Sequence, residues 1–463
     1  MNRRNIFLLL VGTLLLLPVG AATGLDWGGS FTTNDSFQSV AENSDDDVFE
    51  GTQKLVLYLT TPLSSKWEFV GQVGAFLDQE PTFAVDVEKL YFQRNRVFTP
   101  EQDQPRGLVG MTSRFGRFMI TEPTGLVMSH PVDGVAAVLN YTNFELYAGA
   151  GYTGFMNKEF SGVALGLADS LDADDNDVYL GPARLLGLLR VSLPDIILGQ
   201  NVAVALAIQE DLRNPDDVIE QDQEELDAAA KGLVGGLVDT QYGILALDGP
   251  AGIPGLFYNA AYVLNTGRTL SLVEDDNADS GESYQYEPFR ASLVDVGVQY
   301  YLPSFFSSAV TAGVTFTTGD TDYSSFVEGN TKGDANQFTA VTPGSKGLVF
   351  GLEPGNSTTT EVSYSMKPLE GSPVAVLTSL QTELTYYGFF RSAGKGFVSA
   401  TDVDEKSSGS YLGSEVDLAV RLRPFSDFGV GISGGIFFAN DAVMVDDTNS
   451  MDWIVRLTAS LSF

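Results

Sequence analysis

The last twelve residues, Asp452-Trp453-Ile454-Val455-Arg456-Leu457-Thr458-Ala459-Ser460-Leu461-Ser462-Phe463, decide the fold class. Trp453, Val455, Leu457, Ala459, Leu461 and Phe463 share one parity, and Asp452, Arg456, Thr458, Ser460 and Ser462 share the other. Successive side chains of a strand point to opposite faces, so this period of two predicts a strand that is apolar on one side and polar on the other. A strand of that length with an aromatic end and charges on its polar face fits a membrane-spanning barrel. A soluble sandwich also alternates on one face, but its core would not accept unpaired charges.

The same pattern spreads outward from the terminus. In residues 414–423, Val416, Leu418, Val420 and Leu422 oppose Glu415, Asp417, Arg421 and Arg423; in 25–33, Leu25, Trp27 and Phe31 alternate with Asp26 and Ser30; in 52–61, Leu55, Leu57 and Leu59 recur. Strands are expected near 25–33, 52–61, 67–76, 84–93, 107–118, 133–142, 143–155, 180–193, 201–211, 239–248, 255–266, 289–301, 308–318, 358–367, 376–389, 414–423, 429–439 and 452–463. The fold class is therefore all-β: a single transmembrane antiparallel up-and-down β-barrel of about 18 strands. Sixteen is the alternative count, because residues 94–106 are long for a turn. Elsewhere short connections such as 62–66, 194–200 and 424–428 alternate with long acidic or Gly-rich ones, as a barrel with short periplasmic turns and long extracellular loops requires. Tyr58, Phe92, Tyr141, Phe144, Tyr258, Tyr262, Tyr300, Tyr301 and Tyr386, near strand ends, are candidates for interfacial girdles.

Composition removes other classes. The 463 residues carry 60 Asp and Glu against 26 Lys and Arg, a net charge of −34, so a phosphate backbone would find too few cations and nucleic acid is not an expected partner. There is no cysteine and a single histidine, His130, which excludes disulfides, thiolate sites and multi-histidine zinc centres. No enzyme, cofactor or metal is expected. Residues 1–22, with Arg3 and Arg4, an apolar run and Val19-Gly20-Ala21-Ala22, read as a signal peptide, leaving 23–463 as the barrel. The apolar run is short of the roughly 20 residues a retained helical anchor needs.

Several motifs imitate chemistry. Gly149-Ala150-Gly151-Tyr152-Thr153-Gly154 fits a dinucleotide fingerprint, yet alternation runs through it and no helix follows. Gly431-Ile432-Ser433-Gly434-Gly435 fits a nucleophile elbow but also lies inside a strand pattern. Ser129, His130 and Asp133 are too close along an extended chain to form a triad. Asp172-Ala173-Asp174-Asp175-Asn176-Asp177 lacks the Gly and Glu of a calcium loop, so the acidic loops are expected to attract divalent cations only weakly. Those loops are 44–47, 169–177, 210–227 and 274–287, and the helical spacing within 216–237 makes it a candidate for entry into the lumen, with a surface loop as the simpler reading.

Arg114-Phe115-Gly116-Arg117-Phe118, Glu122-Pro123-Thr124-Gly125-Leu126, Ser129-His130-Pro131-Val132-Asp133-Gly134 and Gly151-Tyr152-Thr153-Gly154 together resemble porin-like outer-membrane proteins of spirochaetes. The match covers about a tenth of the chain. Terminal Phe463, behind Leu461, Ala459 and Leu457, looks like the signal that barrel-assembly machinery recognises. The resemblance implies a barrel in the bacterial outer membrane, with membrane lipid, assembly machinery and small solutes as partners. A fainter likeness is to eighteen-stranded polysaccharide-export barrels.

Parity then names the lumen. With Phe463 facing lipid, Asp452 and Arg456 face inward, the neighbouring strand adds Glu415, Asp417, Arg421 and Arg423, and Lys54, Glu145, Arg184, Arg190, Asp295 and Glu383 follow. Arg114 and Arg117 are both pore-lining candidates, although strict alternation admits only one. Facing cations and anions in a barrel of this size are expected of a modestly cation-selective diffusion channel for small hydrophilic solutes and ions. The alternatives are a selective transporter or export channel gated by an acidic loop, and a closed structural or adhesive surface barrel.

Overall fold

The computed structural model describes residues 25–38, 48–77, 83–98, 107–158, 162–163, 169, 178–215, 237–274, 282–321, 336–342, 344–400, 402–445 and 450–463. The expected signal segment, the acidic block 44–47, most of 169–177 and 216–237, and half of 274–287 lie outside them. Eighteen strands follow in chain order: β1 (Asp26–Gln38), β2 (Val48–Pro62), β3 (Trp67–Leu77), β4 (Phe83–Val97), β5 (Leu108–Thr121), β6 (Ser129–Tyr141), β7 (Glu145–Tyr152), β8 (Arg184–Leu193), β9 (Asn201–Asp211), β10 (Val238–Pro250), β11 (Leu256–Glu274), β12 (Glu282–Leu302), β13 (Ser308–Thr317), β14 (Ser357–Met366), β15 (Gln381–Arg391), β16 (Tyr411–Phe425), β17 (Phe428–Ala439) and β18 (Met451–Ser462).

Each strand pairs antiparallel with its chain neighbours, and β1 pairs with β18 from Ser30↔Ser462 to Gln38↔Ile454, so the sheet closes on itself. Gly29 and Phe463 complete the seam by exchanging both backbone hydrogen bonds, at 2.9 and 3.0 Å. Closure pairs every edge, which lets a sheet survive where no water can satisfy backbone groups. The strand count is settled at eighteen. β4 and β5 pair directly from Leu90↔Arg117 to Val97↔Gly110, so the long connection between them joins neighbours and hides no strand pair.

Alternation fixes the outer face. Leu206, Ile208, Leu245, Leu264, Val296, Leu418 and Leu457 are all exposed on it, a band of apolar side chains no aqueous surface would carry. Of the candidate girdle residues, Tyr262, Tyr300, Phe92 and Tyr386 are exposed among them, while Tyr301 has the inward parity of Asp295. Tyr58 departs from the expectation, since it shares the parity of Lys54 and pairs with Gly28 and Gln72 on the inner face.

The inner face is divided. From β5 to β12 it carries Phe118, Ile120, Val132, Leu186, Leu188, Tyr242, Ile244, Val263 and Leu293, all buried in one cluster with Val127 and Met128 of the β5–β6 connection and with Phe338, Ala340 and Val341. From β14 through β18 to β2 it is polar and open except where Phe389 and Phe437 are buried in a second cluster with Phe350 and Leu352. Both glycine motifs lie in strands, β7 and β17, as alternation requires.

Candidate pore and its constriction

The last three residues of the apolar cluster belong to the connection between β13 and β14, and they decide the shape of the lumen. Phe338 N–H donates to Thr318 O, Tyr242 Oη donates to Thr339 O at 2.8 Å, and Val341 and Thr342 N–H both donate to Val127 O at 2.8 and 3.0 Å. The chain has thus crossed from β13 to the connection between β5 and β6, eight strands around the barrel. It then returns. Lys346 Nζ pairs with Glu361 of β14 at 3.1 Å, and the amides of Leu348, Val349 and Phe350 all donate to the Glu415 carboxylate of β16. Leu348 N–H also donates to Asp417 at 3.2 Å. Phe350 stacks on Phe437 with ring centroids 4.3 Å apart and packs beside Phe389.

Gly347 permits the closest part of this approach. Its φ of +89° is a conformation L side chains avoid, and a Cβ there would stand 2.7 Å from Glu415 Oε2. One wall of the barrel is thereby sealed, and the remaining passage runs along the other.

That passage is an open cavity of about 1020 Å³. Its charged lining is balanced: Lys367, Arg421, Arg423 and Arg456 against Glu50, Glu383, Asp417 and Asp427. Hydroxyls and small side chains fill the space between. A smaller cavity of about 180 Å³ lies under the returning connection, where Asp295 accepts from Asn259 Nδ2 at 2.9 Å and Thr315 Oγ1 at 2.7 Å.

The residues expected at the pore separate into three groups. Glu383, Asp417, Arg421, Arg423 and Arg456 line the large cavity together, with Arg421 paired to Glu383 at 2.8 Å and Arg423 Nε donating to Ser426 O at 3.0 Å. Lys54, Arg114, Glu145, Arg190, Asp295 and Asp452 lie on the inner face away from it. Lys54 pairs with Glu88 at 2.7 Å, Arg190 with Glu145 at 2.8 Å, Arg114 Nε donates to Gln93 at 2.9 Å, and Asp452 stands opposite Phe437.

The third group does not line a passage. Arg184 is fully buried, held by Asp169, Asp211 and Val163 O. Glu415 is fully buried under the connection it anchors. Arg117 sits in the wall itself. Gly116, at φ +124°, has no room for a Cβ because Leu90 O would stand 2.2 Å from it, and the β4–β5 ladder ends there. Above that point Arg117 closes the gap between the strands, reaching Asp133 of β6 at 2.7 Å, Asp86 of β4 at 3.1 Å, and Val87 O and Phe155 O. Alternation resolves the Arg114 and Arg117 choice in favour of Arg114.

His130 is buried, with Nδ1 against Pro131 O at 2.6 Å. No cluster of acidic or histidine side chains placed to hold a metal occurs among the described residues. The candidate calcium loop lies outside them.

The fold is similar to those of three solved outer-membrane barrels. OccAB1 of Acinetobacter baumannii gives a TM-score of 0.53 at 8% identity over 95% of this chain and 96% of that one. The outer membrane protein OpdK of Pseudomonas aeruginosa gives 0.51 at 12% over 95% and 99%. OccK2 (OpdF) of the same organism, solved in complex with glucuronate, gives 0.50 at 13% over 95% and 98%. No family model matches the chain. No curated protein matches it either. At these identities the likeness is one of fold.

Proposed function

We propose that the chain is a channel of the bacterial outer membrane through which small hydrophilic solutes and ions diffuse, and that it does no covalent chemistry. The carrying observation is the large cavity, walled by β14–β18, β1 and β2 and bounded on its other side by the β13–β14 connection. An apolar outer band suits lipid, and a balanced inner wall of four cations and four anions suits water and small polar solutes. The terminal Phe463 supports recognition by barrel-assembly machinery, and the segment 114–158 supports a resemblance to spirochaete porin-like proteins. That one neighbour in fold is solved in complex with glucuronate, a small polar solute, supports the same reading.

Overall negative charge supports a modest preference for cations, with the lumen arginines reducing it. The inward connection favours a narrowed channel over an open one, and so brings the selective-transporter reading closer. Among the described residues the segment responsible is 336–356; the acidic 216–236 lies outside them. Planar-bilayer recording of the refolded full chain tests the proposal: discrete conductance steps well below those of an unobstructed barrel of this size are expected. A chain that inserts as a heat-modifiable barrel and carries no current would refute it in favour of a closed surface barrel.

A further inference from the structure

One lateral row of the open wall reads, in ladder register from β15 to β2, Glu383, Ala419, Ser433, Arg456, Ser36 and Glu50. All six line the large cavity. Elsewhere on the inner face, charges are consumed by neighbours: Lys54 by Glu88, Arg190 by Glu145, Lys346 by Glu361, and within this row Glu383 by Arg421. Arg456 and Glu50 are different. Neither side chain has a hydrogen-bond or ion-pair partner among the described residues, although they stand in the same row with only Ser36 between them.

Strands in a sheet are separated by about 4.8 Å, so two steps place the Cα atoms of Arg456 and Glu50 about 10 Å apart. The two long side chains could span that distance, yet they form no ion pair in the structure, and both charges are left facing the cavity. Small residues on the other side of Arg456, Ser433 and Ala419, leave its guanidinium approachable from the lumen. A guanidinium presents paired N–H donors that match a carboxylate, and an exposed carboxylate matches an ammonium.

We propose that this row binds short peptides as zwitterions, with the terminal carboxylate on Arg456, the terminal ammonium on Glu50, and the hydroxyl of Ser433 available to the peptide groups, Ser36 Oγ already donating to Glu50 O. Length selects the class. A chain extends by at most about 3.3–3.6 Å per residue, so the ends of a di- or tripeptide span roughly 7 to 10 Å. An α-amino acid carries both charges on one carbon and satisfies only one end of the row. The inference rests on the channel reading, and names what that channel would favour.

The test is current block in planar bilayers by triglycine, compared with its N-acetylated, its C-amidated and its doubly capped neutral forms, on the refolded full chain. Triglycine is expected to reduce the potassium chloride current at concentrations about tenfold below those needed by either singly capped form, since each cap removes one of two charge-assisted contacts. The doubly capped peptide is expected to block weakest of all. Arg456→Gln and Glu50→Gln should each abolish the preference for triglycine, and the double exchange E50R/R456E should restore it with the peptide reversed. Equal block by all four peptides, or a preference that survives both single substitutions, overturns the peptide site while leaving the channel intact. Absence of any chloride or potassium current removes the channel reading and the inference with it.

Discussion

Across β5–β12 the lumen face carries Phe118, Leu186, Tyr242, Val263 and Leu293 and is covered by the chain that joins β13 to β14; across β14–β18, β1 and β2 the same face carries Glu383, Arg421, Arg456 and Glu50 and meets water. Both halves obey one alternation and one outward band. The difference lies in what the inward positions hold. Apolar inward residues bind a loop because each large side chain withdrawn from water contributes about 1.5–3 kcal/mol, whereas charged ones repay their hydration better by staying wet. A barrel interior is therefore partitioned by its own side chains before any ligand enters.

The largest effect expected from this division concerns two arginines. Arg184, in the sealed half, shares fully buried contacts with Asp169 and Asp211, so Arg184→Met should cost about 3–5 kcal/mol by stranding buried carboxylates, even with Arg213 bonded to both. Arg421 pairs with Glu383 in the open half with more than half of its side chain exposed, and Arg421→Met should cost less than about 1 kcal/mol. Urea unfolding of the two variants in vesicles makes the comparison. Equal costs would mean that the sealed half is as wet as the open one.

Substitution by arginine sharpens the contrast further. Leu418→Arg and Leu457→Arg place a cation on the lipid face and should destabilise by roughly 2–4 kcal/mol near the midplane, while Ala419→Arg and Thr458→Arg, on the cavity side of the same strands, should be tolerated. In β9 this asymmetry should vanish. Leu206 is exposed to lipid and Ala207 is buried under the apolar cluster, so Leu206→Arg and Ala207→Arg should both fail to yield a heat-modifiable barrel. Tolerance of Ala207→Arg would show that the cluster does not fill that half.

How much of this could be read without coordinates depends on the range of the signal. Strand positions and their two faces are carried by nearest neighbours in sequence, so all eighteen strands are legible there, and the parity that groups Arg456 with Asp452 and Arg421 with Asp417 is the one on which the large cavity lies. The partition was not, because it depends on a loop meeting strands up to about two hundred residues away: Val341 on Val127, and Leu348 on Glu415. A clue was present in Phe338, Val341, Val349 and Phe350, apolar residues that a solvated loop has no reason to carry. Arg117 has the parity of the exposed Phe115 and Met119, opposite to that of Arg114, as strict alternation requires.

The anchor of that loop offers the next test. Glu415 accepts three backbone N–H groups, and Glu415→Gln replaces one accepting oxygen by a donor facing those same amides. Bonds to a charged acceptor are worth about 1.5–3 kcal/mol each, so the substitution should release 348–350 from β16 while leaving the ladder whole. Conductance should rise and become noisier with little change in heat-modifiable migration. Unchanged conductance would mean that Phe350, stacked on Phe437, holds the loop without the carboxylate.

Selectivity should respond least, because it is set by opposing fields of unequal range. Acidic loops at the outer mouth, as the sequence leads one to expect, would lend it a negative potential that concentrates cations, and the cavity arginines Arg421, Arg423 and Arg456 would oppose it at close quarters. The Debye length is about 10 Å at 0.1 M salt, so distant loop charges are screened first as salt rises, while charges in a narrow lumen keep their influence. Reversal potentials should therefore show modest cation preference at low salt that weakens at high salt. Neutralising the three arginines together should strengthen the preference at every salt concentration, and removing 216–227 should weaken it chiefly at low salt. Strong anion preference at low salt would invert the ranking of the two fields, and would mean that the arginine side of the open wall, not the charge of the loops, governs what enters.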